Sequence, residues 1–161
     1  MAQQFSKVLA ANRGEIAIRI FRACHDLGLH TVAMYSNEDT NSMFRIKADE
    51  AYLIGENQSP LGAYLDIPAI IDLAKRRGVT AIHPGYGFLS ENADFARACE
   101  ANGIKFIGPP SQVLAQMGDK LAAKATAIAC NVPIIPGSTQ PLKDADEAVE
   151  KALSYGFPIS L

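Results

Sequence analysis

The fold is organised around one segment, Ala81-Ile82-His83-Pro84-Gly85-Tyr86-Gly87-Phe88-Leu89-Ser90-Glu91-Asn92, in which an apolar strand runs into a glycine-bracketed turn and then a helix start. Gly85 and Gly87 allow the backbone positive φ angles or a close approach to another molecule, and Pro84 fixes its own φ. The segment therefore predicts a stiff loop that presents Tyr86. Because loops at the carboxyl ends of parallel strands bind ligands in open α/β sheets, this loop is a candidate functional surface. A purely structural turn, with the Tyr86 ring covering an edge of the core, explains the spacing equally well.

Strands and helices alternate on both sides of this segment. Short apolar runs predict buried strands, and the helices between them carry apolar residues at helical spacing and end at glycines. The predicted strands cover residues 7–11, 31–35, 51–54, 79–82 and 105–107. This alternation predicts an α/β protein with a doubly wound, Rossmann-like parallel sheet.

The connections refine this prediction. The first strand-to-helix turn carries only Gly14, so the GxGxxG fingerprint of nicotinamide and flavin binding is absent. Residues 36–43 and 55–62 are predicted loops, and residues 44–50 a short helical turn. Asp66 is a good N-cap for the helix that follows.

The run Gly108-Pro109-Pro110 predicts a domain boundary, because it discourages both helix and strand. Beyond it, the pattern predicts helices that begin near Ser111, Lys120 and Asp144, and strands at residues 134–135 and 157–161. A chain that stops inside an apolar strand leaves unpaired edge groups, so we interpret the sequence as a fragment.

Composition excludes several classes of protein. The chain has 161 residues, 48% of them hydrophobic, and a net charge of −2, which disfavours duplex nucleic-acid and basic membrane-surface binding. The predicted first strand begins within a few residues of the amino terminus, so we expect no signal peptide, and no apolar run approaches membrane-spanning length. Cys24, Cys99 and Cys130 are widely separated and are predicted to be small buried hydrophobes in a reducing compartment. We therefore expect a cytoplasmic protein without a metal site built on thiols.

Four segments together resemble the biotin carboxylase component of the biotin-dependent carboxylases. They are residues 10–17, 83–92, 106–109 and 117–120, which occur in the family's order and spacing, and the similarity covers essentially the whole chain. Within the family, residues 42–55 and 64–67 look most like pyruvate carboxylase, although Phe44 stands where that branch usually carries histidine. The biotin carboxylases of acetyl-CoA and propionyl-CoA carboxylase are the alternatives.

The resemblance implies part of an ATP-grasp ligase. Residues 1–110 would form the Rossmann-like, pre-ATP-grasp domain, and residues 111–161 the beginning of the ATP-grasp domain. In the family reaction, ATP phosphorylates bicarbonate to carboxyphosphate, which breaks down to carbon dioxide and phosphate, and biotin becomes carboxybiotin. The implied ligands are ATP, Mg²⁺, bicarbonate and biotin borne on a carrier domain, and the implied assembly is a homodimer or higher homo-oligomer.

The resemblance also implies roles for individual residues. Lys120 matches the family lysine that contacts ATP; without that match it would be a surface lysine near a helix start. Tyr86 and Gly87 match the loop beside biotin, and Glu91 matches a carboxylate of the same cleft. Arg19 and Arg22 match positions at or near the dimer contact; the alternative is a solvated helix edge.

Other family features cannot be placed on this sequence. These are the lysine after the Phe-Pro strand, the glycine-rich lid, the metal-binding glutamates and the arginine that engages bicarbonate. We therefore expect the chain alone to be inactive, with its magnesium ligands outside it. His83 is interpreted as a structural histidine. An independent nucleotide-binding domain and a subunit-interaction module remain competing hypotheses, and the acyl acceptor cannot be read from the sequence.

Overall fold

A computed structural model describes residues 5–135, 137–138 and 140–159. The chain forms two compact units, residues 1–115 and residues 116–161, which are described separately.

The first unit is built on a five-stranded parallel sheet. Its strands are β1 (Lys7–Ala10), β2 (His30–Tyr35), β3 (Glu50–Leu53), β4 (Ala81–His83) and β5 (Lys105–Phe106). They lie in the order β3-β2-β1-β4-β5, and every neighbouring pair is parallel. The Rossmann-like α/β prediction is therefore confirmed.

Five helices accompany these strands: α1 (Gly14–Asp26), α2 (Pro60–Leu65), α3 (Ile67–Arg76), α4 (Ala93–Ala101) and α5 (Ser111–Gly118). Side-chain caps fix the first turns of α3 and α4. The carboxylate of Asp66 accepts a hydrogen bond from the backbone N–H of Ala69 at 3.0 Å. The amide oxygen of Asn92 accepts one from the backbone N–H of Phe95 at 2.9 Å. Two short 3₁₀ helices, Asn37–Asp39 and Met43–Lys47, lie between β2 and β3.

Helix α2 lies in a region that was predicted to be a loop up to residue 62, and that prediction is wrong. Ser59 caps the helix by accepting from the N–H of Gly62 at 3.1 Å, and Pro60 suits its first turn. The helix forms because it buries Ala63 and Tyr64 against the sheet, which local propensity does not reveal.

The two faces of the sheet carry separate cores. Side chains alternate across a strand, so Val8 and Ala10 of β1 face one way and Leu9 the other. Residues of α1 and the buried Phe44 cover the first face. Residues of α2, α3 and α4 cover the second face.

The second unit contains α6 (Lys120–Ala129) and α7 (Ala145–Tyr155), which are capped by Asp119 and Asp144. The predicted strand at 134–135 is wrong, and residues 157–159 of the predicted final strand form no strand either. Ser160 and Leu161, the rest of that prediction, lie outside the described residues. A strand needs a neighbour to satisfy its backbone groups, and none is formed in the described part of this unit.

The cysteine prediction holds for two residues of three. Cys24 and Cys99 are buried in the two cores, but Cys130 is exposed, because it follows α6, a helix that buries none of its residues. In the part of the chain that the structure describes, no helix is both long and apolar enough to cross a membrane.

Candidate functional site

The candidate site lies where the order of the sheet reverses. From β1 the chain proceeds to β2 on one side, whereas β4 pairs with β1 on the other. The connections that leave the neighbouring carboxyl ends of β1 and β4 therefore run in opposite directions, which makes this a switch point, the place where open α/β sheets bind ligands. Two connections meet there: the turn from β1 into α1 and the loop of residues 84–88, here called the Tyr86 loop.

Asn12 joins these two connections. Its side chain is buried, and its Nδ2 donates to the carbonyl oxygens of Pro84 at 2.8 Å and Tyr86 at 2.9 Å. Its Oδ1 accepts from the backbone N–H of Arg13 at 2.9 Å. Both amide hydrogens and the amide oxygen are thus used, so the backbone of the Tyr86 loop is fixed to the start of α1.

The two glycines of the loop serve different needs. Both have positive φ, +67° at Gly85 and +66° at Gly87. A Cβ added at Gly85 would lie 2.7 Å from Asn12 Nδ2, whereas one added at Gly87 would meet nothing within 4 Å. Gly85 therefore allows the close approach of Asn12, whereas Gly87 faces open space where a Cβ would stand.

His83 ends β4 and supports the same turn. Its Nδ1 lies 3.0 Å from the backbone N–H of Gly85, which donates to it. Burial lowers the pKa of His83 and favours the neutral ring that can accept this bond. This contact agrees with the structural role expected from the sequence.

Tyr86 stands at the tip of the loop with 61% of its surface exposed. Its hydroxyl donates to Oε1 of Glu15 in the first turn of α1, and this hydrogen bond raises the pKa of Tyr86. Between the loop and the start of α1 lies a cleft of about 370 Å³. Its lining residues are Asn12, Arg13, Gly14, Glu15, Ile16, Tyr86, Gly87 and Phe88.

An ion pair between the exposed Arg13 and the buried Asp39 holds the other side of the loop. Arg13 donates to both carboxylate oxygens of Asp39, with Nε to Oδ2 at 2.6 Å and Nη2 to Oδ1 at 2.5 Å. The hydroxyl of Tyr64 donates to Oδ2 of Asp39 at 2.7 Å, and its ring stacks on Phe88 with centroids 5.3 Å apart. The hydrogen bond from Arg13, with those from Tyr64 and Ser42, holds the pKa of Asp39 at about 2. Phe88 is thereby packed on a fixed polar network.

The residues expected to act in binding fall in several places. Tyr86 and Gly87 line the cleft, and Arg19 and Arg22 are exposed on α1. Glu91 is exposed in the turn before α4 and is not among the residues that line this cleft. Lys120 is the exposed first residue of α6 in the second unit. Their binding roles stay predictions.

The described part of the chain contains no group of three or more histidine, cysteine, aspartate or glutamate side chains that could hold a metal ion. The described residues therefore present no metal site formed by protein side chains alone.

Sequence reasoning missed three residues that shape the site. Asn12 could have been found, since a polar residue directly after a buried strand lies at the ligand-binding edge of a parallel sheet. Asp39 lies in a polar stretch that was predicted to be a loop, where nothing marks it as buried. Glu15 gave no signal beyond that of an ordinary first-turn acid.

Comparison with known proteins gives consistent results. The family model "Biotin carboxylase, N-terminal domain" matches residues 4–114. The mitochondrial pyruvate carboxylase of Rattus norvegicus is 60% identical over 153 residues, 95% of this chain but 13% of that protein. Pyruvate carboxylase of Bacillus subtilis is 57% identical over 157 residues, 98% of this chain and 14% of that protein. The chain thus spans a small part of the curated relatives it matches.

A solved structure extends the similarity to three dimensions. The biotin carboxylase domain dimer of Hydrogenobacter thermophilus 2-oxoglutarate carboxylase, in complex with MgADP, ADP and bicarbonate, has a TM-score of 0.92 and 51% sequence identity. The match covers 97% of this chain and 34% of that one. The family match extends over more than half of the sequence, and the parallel sheet agrees with it. This chain belongs to the biotin carboxylase N-terminal domain family.

Proposed function

We propose that the chain acts as the amino-terminal part of an ATP-dependent biotin carboxylase, within a pyruvate carboxylase. The reaction converts bicarbonate, ATP and biotin into carboxybiotin, ADP and phosphate. The family match and the pyruvate carboxylase relatives support this assignment. Residues 1–110 would be the pre-ATP-grasp domain, and residues 111–161 would begin the ATP-grasp domain.

The observation that carries the proposal is the pre-set Tyr86 loop. The bicyclic ring of biotin offers a compact face and a ureido group, and an aromatic ring beside an open backbone suits both. Tyr86 supplies the exposed ring, and Gly87 leaves its backbone accessible because no side chain shields it. Because Asn12 fixes the backbone beforehand, binding would not have to order the loop. Glu91 is proposed as a further carboxylate of the biotin site.

Lys120 is proposed to contact ATP. Its side chain is exposed at the first position of α6, and its ammonium is a compact charge suited to phosphate oxygens. Magnesium, when bound with ATP, would neutralise phosphate charge, and its ligands would have to come from outside the residues described here.

Arg19 and Arg22 are proposed to belong to a homodimer contact. They lie three residues apart on α1, and both are exposed. The Hydrogenobacter domain is a dimer. The other partner would be a carrier domain that bears biotin. We also propose a cytoplasmic location, in keeping with three cysteines that are all free thiols.

The proposal is tested by bicarbonate-dependent ATP cleavage with free biotin. The full-length protein that contains this chain should release phosphate only when bicarbonate, biotin and magnesium are all present. The isolated 161-residue chain should not turn over, because its described residues form no group of three or more side chains that could hold a metal ion and it is proposed to be only part of the enzyme. Absence of biotin-dependent cleavage in the full-length protein, or turnover by the 161-residue chain, would contradict the proposal. Comparing pyruvate, acetyl-CoA and propionyl-CoA as substrates of the full-length protein then tests which acyl acceptor it carboxylates.

A further inference from the structure

The orientation of the Tyr86 ring is not fixed by packing. The ring is largely exposed, and the residues before and after Tyr86 are glycines, which have no side chains to pack against it. Asn12 holds the carbonyl groups of the loop but does not restrain rotation of the Tyr86 side chain about χ1. Something else must select one rotamer if the ring is to form a defined wall.

The carboxylate of Glu15 provides that restraint. Glu15 is 71 residues away in sequence, yet its Oε1 accepts the hydroxyl hydrogen of Tyr86 across the mouth of the cleft. The acceptor is charged, and hydrogen bonds to ionised groups are the stronger kind. Glu15 itself is anchored in the first turn of α1, a position that favours a carboxylate.

We propose that Glu15 is a positioning residue, which holds the Tyr86 ring in the orientation that meets the biotin ring. This inference rests on the proposed function and adds a residue to it. Glu15 would act only through the Tyr86 hydroxyl, and a ring released from Glu15 would sample several rotamers. Biotin binding would then have to order the ring, which raises KM for biotin and leaves the chemical step unchanged.

The contact itself can be measured without activity. Tyrosine labelled with ¹³C at Cζ gives one titrating resonance per ring in the full-length protein, and Tyr86→Phe identifies the resonance of Tyr86. Its pKa is raised by Glu15, while Arg19, one turn along α1, lowers it. Glu15→Gln removes the negative charge, so the Tyr86 resonance should titrate at lower pH. Asp26→Ala, at the far end of the same helix, is the control and should leave it unchanged.

The role in binding is measured by a double-mutant cycle on the full-length protein with free biotin. Glu15→Ala should raise KM for biotin about three- to tenfold, with kcat changed less than about twofold. Glu15→Gln, which can still accept the hydroxyl, should recover part of this loss. In the Tyr86→Phe background, Glu15→Ala should have no further effect, because no hydroxyl remains to be held.

The outcomes separate the two proposals. A Tyr86 titration that Glu15→Gln does not move overturns the inference. Equal KM values for Glu15→Ala and the parent, or a Glu15→Ala effect that persists in Tyr86→Phe, also overturn it. A parent protein without bicarbonate-dependent ATP cleavage overturns the proposed function instead, and the tyrosine titration still shows whether Glu15 holds the ring.

Discussion

The two units of the chain differ in how their helices are stabilised. In the first unit, α1, α3 and α4 each bury several residues against a face of the sheet. In the second unit, α6 and α7 bury no residue, and large apolar side chains are exposed, including Ile135 at 88% and Phe157 at 72%. The first unit therefore draws its stability from packing, and the second relies on caps and local propensity.

This difference in packing determines which unit can hold a binding site that is already formed before a ligand binds. Helices of 10 and 11 residues, such as α6 and α7, are marginal in water without tertiary packing. The Tyr86 loop, by contrast, is tied to a buried sheet through Asn12, and its Phe88 stacks on Tyr64, which donates to the buried Asp39. The proposed biotin wall should thus be formed before any ligand binds, whereas the surroundings of Lys120 should gain order from further contacts.

Separating the two units should give the largest effect. We expect residues 1–115 to unfold cooperatively in urea, since their core is contained within the unit. Residues 116–161 alone should show no cooperative transition and little amide protection. Circular dichroism and hydrogen exchange on the two polypeptides provide the measurement. A cooperative transition in residues 116–161 would show that the second unit is stabilised by packing as the first is.

Two leucines, one in each unit, test the difference in packing at single residues. Leu73 on α3 is 3% exposed and Leu153 on α7 is 68% exposed. Leu73→Ala should lower the free energy of unfolding of the 161-residue chain by about 2–5 kcal/mol, because it leaves a cavity. Leu153→Ala should change it by less than about 0.5 kcal/mol. Similar losses from both substitutions in urea denaturation would show that α7 is packed as well as α3.

Alanine substitutions at the two glycines of the Tyr86 loop test whether Asn12 holds the loop in place. Gly85→Ala and Gly87→Ala both place a side chain at positive φ, at about 1–2 kcal/mol each. Only Gly85→Ala also drives a methyl group against Asn12, which adds about 1–3 kcal/mol. The unfolding free energy should therefore fall further for Gly85→Ala. Equal losses would mean that Asn12 moves aside without cost.

The ion pair between Arg13 and Asp39 should make the free energy of unfolding of the first unit depend on pH. The pKa of Asp39 is about 2 in the folded chain, against an ordinary value of 3.8, so the folded state binds protons less readily than the unfolded state. This stabilisation, about 2 kcal/mol, is fully present above about pH 4 and is lost as the pH falls towards 2.

Denaturation between pH 7 and pH 2.5 measures this contribution. Asp39→Asn should remove that part of the pH dependence and lower stability at pH 7, whereas Asp26→Asn, at an exposed position, should leave stability at pH 7 unchanged. A parent chain and an Asp39→Asn variant with parallel pH profiles would refute the assignment.

Much of the first unit could be predicted from sequence, because its signals are local and strong. Buried strands, helix-ending glycines and the cap at Asp66 follow from pattern alone, and the Tyr86 loop was marked by its two glycines. Helix α2 and the burial of Asp39 could not be predicted, since both depend on contacts between distant segments. The Tyr86–Glu15 contact likewise joins residues that only the sheet order brings together.

In the second unit, by contrast, the sequence predicted strands that do not form. Residues 134–135 and 157–159 have apolar, β-favouring sequences, but a strand is stable only beside a partner strand. The sequence of a segment shows whether it could form a strand, but the described residues of this unit contain no strand with which these segments could pair. The prediction failed because strand pairing depends on which other segments lie alongside, and the sequence of one segment does not reveal this.

The central claim is that the Tyr86 loop is a wall of the biotin site. The most direct test is the KM for free biotin of the full-length protein, compared between the parent and Tyr86→Ala. We predict that Tyr86→Ala raises KM for biotin at least about tenfold, with the bicarbonate KM unchanged, because the lost ring contacts biotin alone. An unchanged KM for biotin in a folded Tyr86→Ala protein would contradict the account.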